Sequence, residues 1–191
     1  MFNDTSSPLA LLSTRRSGKP RDLVAPGPDA AQLARMLEIA ARTPDHGKLA
    51  PWRFVVVPAD RRDALSKIII DAYLAERPEA ARLEIEALDQ FAHQAPTLVV
   101  VLSSPKLESH IPLWEQELSA GAACMNLLHA AHALGFAGGW LTGWAVYADA
   151  VRDAFGAAPE KIVGFVFIGT PSKPLDERPR PESDKIVRYW T

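Results

Sequence analysis

The chain has 191 residues, of which 48% are apolar, and a formal net charge of −2. This length is enough for one domain with a sizeable core, and we expect a single domain over residues 1–191. Positive and negative residues are interspersed, so the sequence carries no basic stripe of the kind that indicates a nucleic-acid-binding protein.

We expect a cytoplasmic protein without a membrane segment. The first residues lack the charged-then-apolar order of a secretory signal peptide. Apolar runs such as 98–102 are too short to span a bilayer. The single cysteine, Cys124, excludes an intramolecular disulfide and is expected to be an inert core thiol within an apolar helical segment.

Helical spacing and breaker residues define the first part of the chain. The apolar stretch from Leu9 to Leu12 predicts an N-terminal helix. After a Pro-Gly-Pro breaker cluster, Asp29 is a good N-cap, and the spacing of apolar residues predicts an amphipathic helix over residues 30–42. Pro44 then prevents this helix from continuing.

Two strands and two helices are expected next. The apolar and β-branched run from Trp52 to Val57 predicts a strand. Residues 60–76 and 78–92 are expected to be helical, with Pro78 in the first turn of the second helix. The segment from Thr97 to Leu102 is apolar throughout, which predicts a strand buried on both faces.

The longest helical pattern runs from Leu113 to Leu134 and is ended by Gly135. From Ala120 onward it is apolar over most of its circumference, so it must be buried nearly all round. A domain of this size has limited room for such burial, which favours packing against a second subunit.

The remaining elements complete an α+β sandwich. Strands are predicted over Gly138 to Thr142 and Ile162 to Ile168, with a helix between them. The proline-rich segment 170–181 predicts an extended loop, and residues 186–190 are compatible with a final strand. This order of elements predicts a central sheet flanked by helices.

Arg15, Arg16 and Ser17 directly follow the N-terminal helix. Two guanidiniums and a hydroxyl at one helix end form a fork of donors suited to a phosphate group. Basic residues also favour helix C-termini through the helix dipole, so the triplet alone fits a solvated helix end as well.

A second segment strengthens the interpretation of the triplet as a phosphate-binding site. About thirty residues further on, the chain reads Thr43-Pro44-Asp45-His46-Gly47-Lys48-Leu49-Ala50-Pro51-Trp52-Arg53-Phe54. Alone, this is a helix-to-strand loop with a packed tryptophan. In this order, the two segments together resemble the opening of the nitroreductase family of flavin enzymes. The Pro-Asp-His sequence is similar to a small bacterial subgroup of NAD(P)H nitroreductases, although Lys48 and Ala50 stand where Asn and Gln are usual in the family.

Two later segments extend the resemblance over nearly the whole chain. Leu134, Gly135 and Trp140 match the family's long helix and following strand, and Gly169-Thr170-Pro171 matches its Gly-x-Pro sequence. The resemblance implies a nitroreductase-like three-layer sandwich with a mostly antiparallel central sheet. It further implies that one FMN-binding domain, residues 1–191, forms an intertwined homodimer in which the long helices pack together and two flavin sites lie at the interface.

The resemblance also implies a set of cofactor-binding residues. The triplet would hold the phosphate and ribityl chain of FMN, and Arg180, or otherwise Arg178, would meet the phosphate from the other side. Backbone groups at the end of the third strand would lie beside the flavin ring. The full predicted set is Arg15, Arg16, Ser17, Arg42, His46, Lys48, Trp140, Leu141, Thr142 and Arg180.

No catalytic side chain and no metal are expected. His46 is a candidate general acid, but we favour a binding role because hydride passes directly between nicotinamide and flavin. Lys48 or Arg42 near the pyrimidine end would stabilise the anionic reduced flavin. His129 and His132 are one helical turn apart, which alone is insufficient for zinc.

The expected function is an FMN-dependent NAD(P)H oxidoreductase. NADH or NADPH would reduce the flavin, and a small-molecule electron acceptor, such as a nitroaromatic or a quinone, would then enter the same cleft in a ping-pong reaction. The sequence has no Gly-x-Gly-x-x-Gly fingerprint, so no separate Rossmann site for the nicotinamide is expected. Residues 60–95 are expected to form a variable cap over the site.

Three alternatives remain open at this point. Another reductase on the same scaffold, of the dehalogenating or flavin-fragmenting type, would share these motifs. A flavin-binding protein without turnover would hold FMN but show no reduction by NAD(P)H. An α+β domain with no ligand would give a colourless preparation.

Overall fold

The computed structural model describes residues 2–191. In chain order, the helices and strands are α1 Pro8–Thr14, β1 Leu23–Val24, α2 Ala30–Ala40, β2 Trp52–Val57, α3 Arg62–Glu76, α4 Arg82–His93, β3 Thr97–Ser103, α5 Leu113–Ala133, β4 Ala137–Leu141, α6 Trp144–Tyr147, α7 Asp149–Asp153, β5 Lys161–Pro171 and α8 Ser183–Ile186.

Strand β5 is the centre of the sheet. It pairs with β3 along residues 161–168, and β3 pairs in turn with β2. It also pairs with β4 along residues 165–169, and its last two residues pair with β1. All these pairings are antiparallel, which confirms the predicted sheet type.

Each face of the sheet has its own core because side chains alternate along a strand. On β3, Leu98, Val100 and Leu102 pack with residues of α3, α4, α6 and α7. Val99 and Val101 pack on the opposite face with residues of α2 and α5. All five side chains are fully buried, so the strand is covered on both faces and the three-layer sandwich is confirmed.

Two sequence predictions of secondary structure are wrong. Helix α4 begins at Arg82 rather than at residue 78, because Pro78 lies in a turn closed by a hydrogen bond from the Ala80 N–H to the Arg77 carbonyl (3.1 Å). The final strand predicted over residues 186–190 is absent from the described chain, which has the short helix α8 and then an exposed, irregular end. No neighbouring strand pairs with this end.

The pair β1 and the end of β5 was not predicted. A strand of two residues, Leu23–Val24, shows no periodicity that a sequence pattern can reveal. Its pairing takes Thr170 and Pro171 out of the predicted loop and into β5. Across residues 2–191, no helix combines the length and the apolar character that crossing a bilayer requires.

Candidate functional site

The chain after Ser17 is fixed to the edge of the sheet by backbone contacts. The Gly18 N–H donates a hydrogen bond to the Gly138 carbonyl at 3.0 Å. A Cβ atom on Gly139 would lie 2.6 Å from the Gly18 carbonyl oxygen, closer than two such atoms can approach. Glycine at position 139 therefore allows the two backbones to meet, and the triplet is positioned beside β4.

His132 on α5 holds the same strand from the core side. Its Nε2 accepts a hydrogen bond from the Gly138 N–H at 3.2 Å. Burial, followed by the positive charges of Arg15 and His129, lowers the pKa of His132 to about 4. The imidazole is thus neutral at pH 7 and free to accept at Nε2. A continuous series of hydrogen bonds thus connects α5, through the backbone of Gly138, to Gly18, the residue that follows the triplet.

An open cleft of about 520 Å³ lies where the triplet meets the end of β4. Four of the predicted site residues line this cleft, namely Arg16, Ser17, Trp140 and Leu141. The volume is within the range of ligand pockets in proteins, about 300–1,000 Å³. Arg178, the second choice among the C-terminal basic residues, lines the cleft as well.

Three guanidiniums, those of Arg15, Arg16 and Arg180, lie near one another, and we call them the arginine cluster. Arg16 is the member that lines the cleft. Arg15 Nη1 donates to Ser17 Oγ at 3.2 Å. Burial lowers the pKa of Arg15, and the nearby charges of Arg180 and Arg16 lower it further. Because these like charges repel one another, an anion bound among them would be strongly stabilised.

The loop after β5 places two acidic residues against these cations. Asp176 Oδ2 lies 2.9 Å from Lys19 Nζ, and the Asp176 carbonyl accepts a hydrogen bond from Arg16 Nε at 2.7 Å. Glu177 Oε1 lies 3.5 Å from Arg16 Nε and 3.6 Å from Arg180 Nη2. The two ends of the chain therefore meet at the arginine cluster.

The Pro-Asp-His loop lies on α5, away from this cleft. Ser119 Oγ donates to the Pro44 carbonyl at 2.7 Å, and His46 Nδ1 lies 2.8 Å from Glu115 Oε2. Left-handed backbone at Gly47 (φ 76°) turns the loop. The contacts with α5 thus hold the loop in place.

Six predicted site residues do not line the cleft within one chain, namely Arg15 and Arg180 of the arginine cluster and four others. Arg42, His46 and Lys48 are exposed in or next to the Pro-Asp-His loop, which contacts α5. Thr142 is exposed just beyond the end of β4. The predicted set therefore falls on two surfaces of the chain, because the loop that carries three of its members is bonded to α5 rather than to β4.

Comparison with known proteins assigns the family. A family model described as "Nitroreductase family" matches residues 12–170. The chain belongs to the nitroreductase family. It is 37% identical over 167 residues to "Putative NAD(P)H nitroreductase YdjA" of Escherichia coli (strain K12), and the alignment covers 85% of this chain and 87% of the relative.

Solved structures agree with the fold. A nitroreductase-like family protein from Bacillus cereus superposes with a TM-score of 0.80 at 19% identity, covering 97% of this chain and 96% of the other. The FMN-dependent nitroreductase NfnB from Mycobacterium smegmatis, solved in complex with NADPH, gives a TM-score of 0.71 at 18% identity over 92% of this chain and 95% of that one. These likenesses confirm the nitroreductase-like sandwich.

Three polar or charged residues of the cleft were missed in the sequence. Lys19 and Arg21 line the cleft, and their signal was present, because they continue the basic run that begins at Arg15. Gln94, at the end of α4, also lines it, and no sequence pattern pointed to it. Gln94 is the one cleft-lining residue drawn from the predicted cap, residues 60–95.

Helix α5 leaves an apolar strip uncovered within a single chain. Its sheet-facing side is buried, but Trp114 is 67% exposed and Leu118 is 53% exposed. A Cβ atom added at Gly121 would meet nothing within 4 Å. The sequence predicts burial nearly all round from Ala120 onward, and in a single chain Ala122 and Ala133 of that stretch remain exposed. In the described part of the chain, no cluster of three or more metal-ligating side chains occurs.

Proposed function

We propose that this protein is an FMN-dependent NAD(P)H oxidoreductase that reduces electron-poor acceptors such as nitroaromatics and quinones. The observation that carries this proposal is the arginine cluster, whose member Arg16 lines a cleft walled by the end of β4. The names of two relatives support it, because the E. coli protein bears the name of an NAD(P)H nitroreductase and the M. smegmatis enzyme is FMN-dependent.

The residues present fit FMN. Its phosphate carries close to two negative charges at neutral pH, and the arginine cluster offers three guanidiniums, two of which, those of Arg16 and Arg180, are contacted by the carboxylate of Glu177. Ser17, whose hydroxyl accepts from Arg15, is placed to bond the phosphate or the ribityl chain. Lys19 and Arg21 add positive charge along the cleft wall.

Trp140 would form a rigid wall for the planar ring. Its indole Nε1 donates to the Val163 carbonyl at 3.1 Å. The indole lies across Gly164, where an added Cβ atom would be 2.0 Å from Nε1. Glycine at position 164 thus makes room for the indole, which keeps the shape of the cleft fixed and excludes water from one side.

Bound FMN would supply the redox chemistry by taking hydride from NADH or NADPH and passing it to the acceptor. The protein's own part is to bind the phosphate, to orient the ring against β4 and to hold positive charge near the reduced ring. Donor and acceptor would use the same cleft in turn, which predicts ping-pong kinetics.

We further propose that the protein is an intertwined homodimer. Besides the strip on α5, the C-terminal segment exposes Tyr189 at 86% and Trp190 at 99%. Apolar surface of this extent is typical of an interface between proteins. A second copy would cover both regions and would bring the loop with Arg42, His46 and Lys48 of one subunit to the cleft of the other.

A cytoplasmic location is part of the same proposal. Cys124 is buried, and burial raises the pKa of its thiol, so it is an unreactive core side chain. A chain without a second cysteine gains nothing from an oxidising compartment.

The decisive experiment is anaerobic reduction of the purified protein. We expect a yellow preparation whose flavin absorption band at about 450 nm bleaches on addition of NADH or NADPH and returns when a nitroaromatic or a quinone is added. A protein that holds FMN without bleaching would be a flavin-binding protein rather than a reductase. A colourless protein that takes up no FMN would refute the proposal entirely.

Leu118→Glu tests the dimer. A carboxylate in the middle of the α5 strip would be desolvated on association, so we expect the dimer dissociation constant to rise at least about tenfold and FMN affinity to fall with it. Sedimentation velocity and flavin fluorescence measure the two effects. Leu83→Glu is the matched control, because Leu83 is a leucine on α4 that is 70% exposed. A variant at position 118 that remains a full dimer would contradict the proposed interface.

A further inference from the structure

Glu177 places a carboxylate against the arginine cluster. Its Oε1 lies 3.5 Å from Arg16 Nε and 3.6 Å from Arg180 Nη2. The same oxygen accepts a hydrogen bond from the Arg178 N–H at 2.6 Å, which orients the carboxylate toward the two guanidiniums. The side chain is 64% exposed, so it stands at the mouth of the cluster rather than within the core.

The contacts of Glu177 are those of a replaceable partner. A charge-assisted hydrogen bond between a guanidinium and a carboxylate is about 2.7–2.9 Å long, and both distances here are longer. The neighbouring Asp176 differs, because its carboxylate lies 2.9 Å from Lys19 Nζ and the hydrogen bond from Lys19 lowers its pKa. Asp176 is thus committed to Lys19, whereas Glu177 only balances charge.

The Glu177 carboxylate would not help to bind a flavin phosphate. A dianion bound by Arg16 and Arg180 would lie beside the Glu177 carboxylate, and two like charges at such short range repel each other. Either the carboxylate swings away into solvent, which its exposure allows, or the phosphate binds against that repulsion. Both outcomes reduce the affinity for the phosphate and leave the uncharged ring unaffected.

We propose that Glu177 is a competing counter-ion which sets how strongly the cleft discriminates FMN from riboflavin. In the free protein it partly neutralises Arg16 and Arg180, and it gives way when a phosphate monoester binds. The inference rests on the proposed FMN function and adds to it a residue that weakens, rather than strengthens, cofactor retention. The specificity for the phosphate is therefore moderated by the same loop that supplies Arg178 and Arg180.

Glu177→Gln tests the proposal, because it removes the charge and keeps the size of the side chain. Flavin fluorescence titration of flavin-depleted protein gives the dissociation constants of FMN and riboflavin. We expect the FMN constant to fall about threefold to fivefold at low salt, as befits an exposed charge pair, and the riboflavin constant to stay the same. The gain should shrink as ionic strength rises, because salt screens exposed charges.

Glu182→Gln is the matched control. Glu182 is an exposed glutamate of the same C-terminal segment, paired with Lys185 at 2.6 Å, and its replacement should leave both constants unchanged. The inference is overturned if Glu177→Gln binds FMN equally or more weakly, or if riboflavin gains as much as FMN. If the unaltered protein binds neither flavin, both the proposed function and the role of Glu177 fail. If the unaltered protein binds FMN and the variant shows no gain, only the role of Glu177 fails.

Discussion

Replacing Arg16 with alanine is expected to weaken FMN binding about a hundredfold, the effect of losing two charge-assisted hydrogen bonds. The Arg16 side chain is only 13% exposed, and it lines the cleft. Its Nε is held by the Asp176 carbonyl at 2.7 Å, so the guanidinium is already oriented before a ligand arrives. A phosphate bound there gains fixed donors without the entropic cost of ordering them.

Two further variants separate charge from geometry at this position. Arg16→Lys keeps the charge but loses the planar fork, so an intermediate loss of FMN affinity is expected. Arg35→Ala is the control, because Arg35 is an exposed arginine of α2 paired with Glu38. Flavin fluorescence titration of the three variants gives the comparison. An FMN dissociation constant in Arg16→Ala equal to that of the unaltered protein would remove the phosphate role from this residue.

Gly139→Ala is expected to damage both the fold and the site. The added Cβ atom would lie 2.6 Å from the Gly18 carbonyl oxygen and 3.0 Å from the Pro20 ring, and a backbone atom cannot move aside cheaply. We expect a loss of about 1–3 kcal/mol in the free energy of unfolding, as for other overpacked sites. Because the displaced segment carries the triplet, FMN affinity should fall at least about tenfold, the equivalent of 1.4 kcal/mol.

The adjacent glycine provides the control for this prediction. A Cβ atom on Gly138 would meet Leu128 Cδ2 at 2.7 Å, and the end of a leucine side chain can shift to another position. Gly138→Ala should therefore cost less stability and retain FMN. Urea unfolding and FMN titration of both variants distinguish the two cases. Equal effects at positions 138 and 139 would show that the crossing with Gly18 has no special importance.

The regular parts of the fold were accessible from the sequence because local patterns encode them. The unbroken apolar run of β3 requires burial on both faces, and both faces are buried. The failed strand at residues 186–190 shows the limit of such patterns. Its apolar side chains satisfy the local preference, but a strand exists only where a partner edge is available, and the partner is not visible in the local sequence.

The site was partly predictable for the same reason. The triplet and Trp140 were found through motifs. The hydrogen bond that holds their two segments together, between Gly18 and Gly138, spans 120 positions and has no local signal. The placement of His46 on α5 depends on a contact with Glu115 that no spacing rule predicts. Whether these two surfaces work together depends on the second subunit that we propose.

The bond between Arg16 and Asp176 joins positions 160 residues apart, and this separation has a consequence for biogenesis. A ribosome must release almost the entire polypeptide before Arg16 and Asp176 can meet. Loop-closure entropy grows only slowly with length, so the delay comes from synthesis rather than from an unfavourable search. If FMN binds at the arginine cluster as proposed, it would be loaded only after translation, because β5, the central strand of the sheet, is also among the last segments to be made.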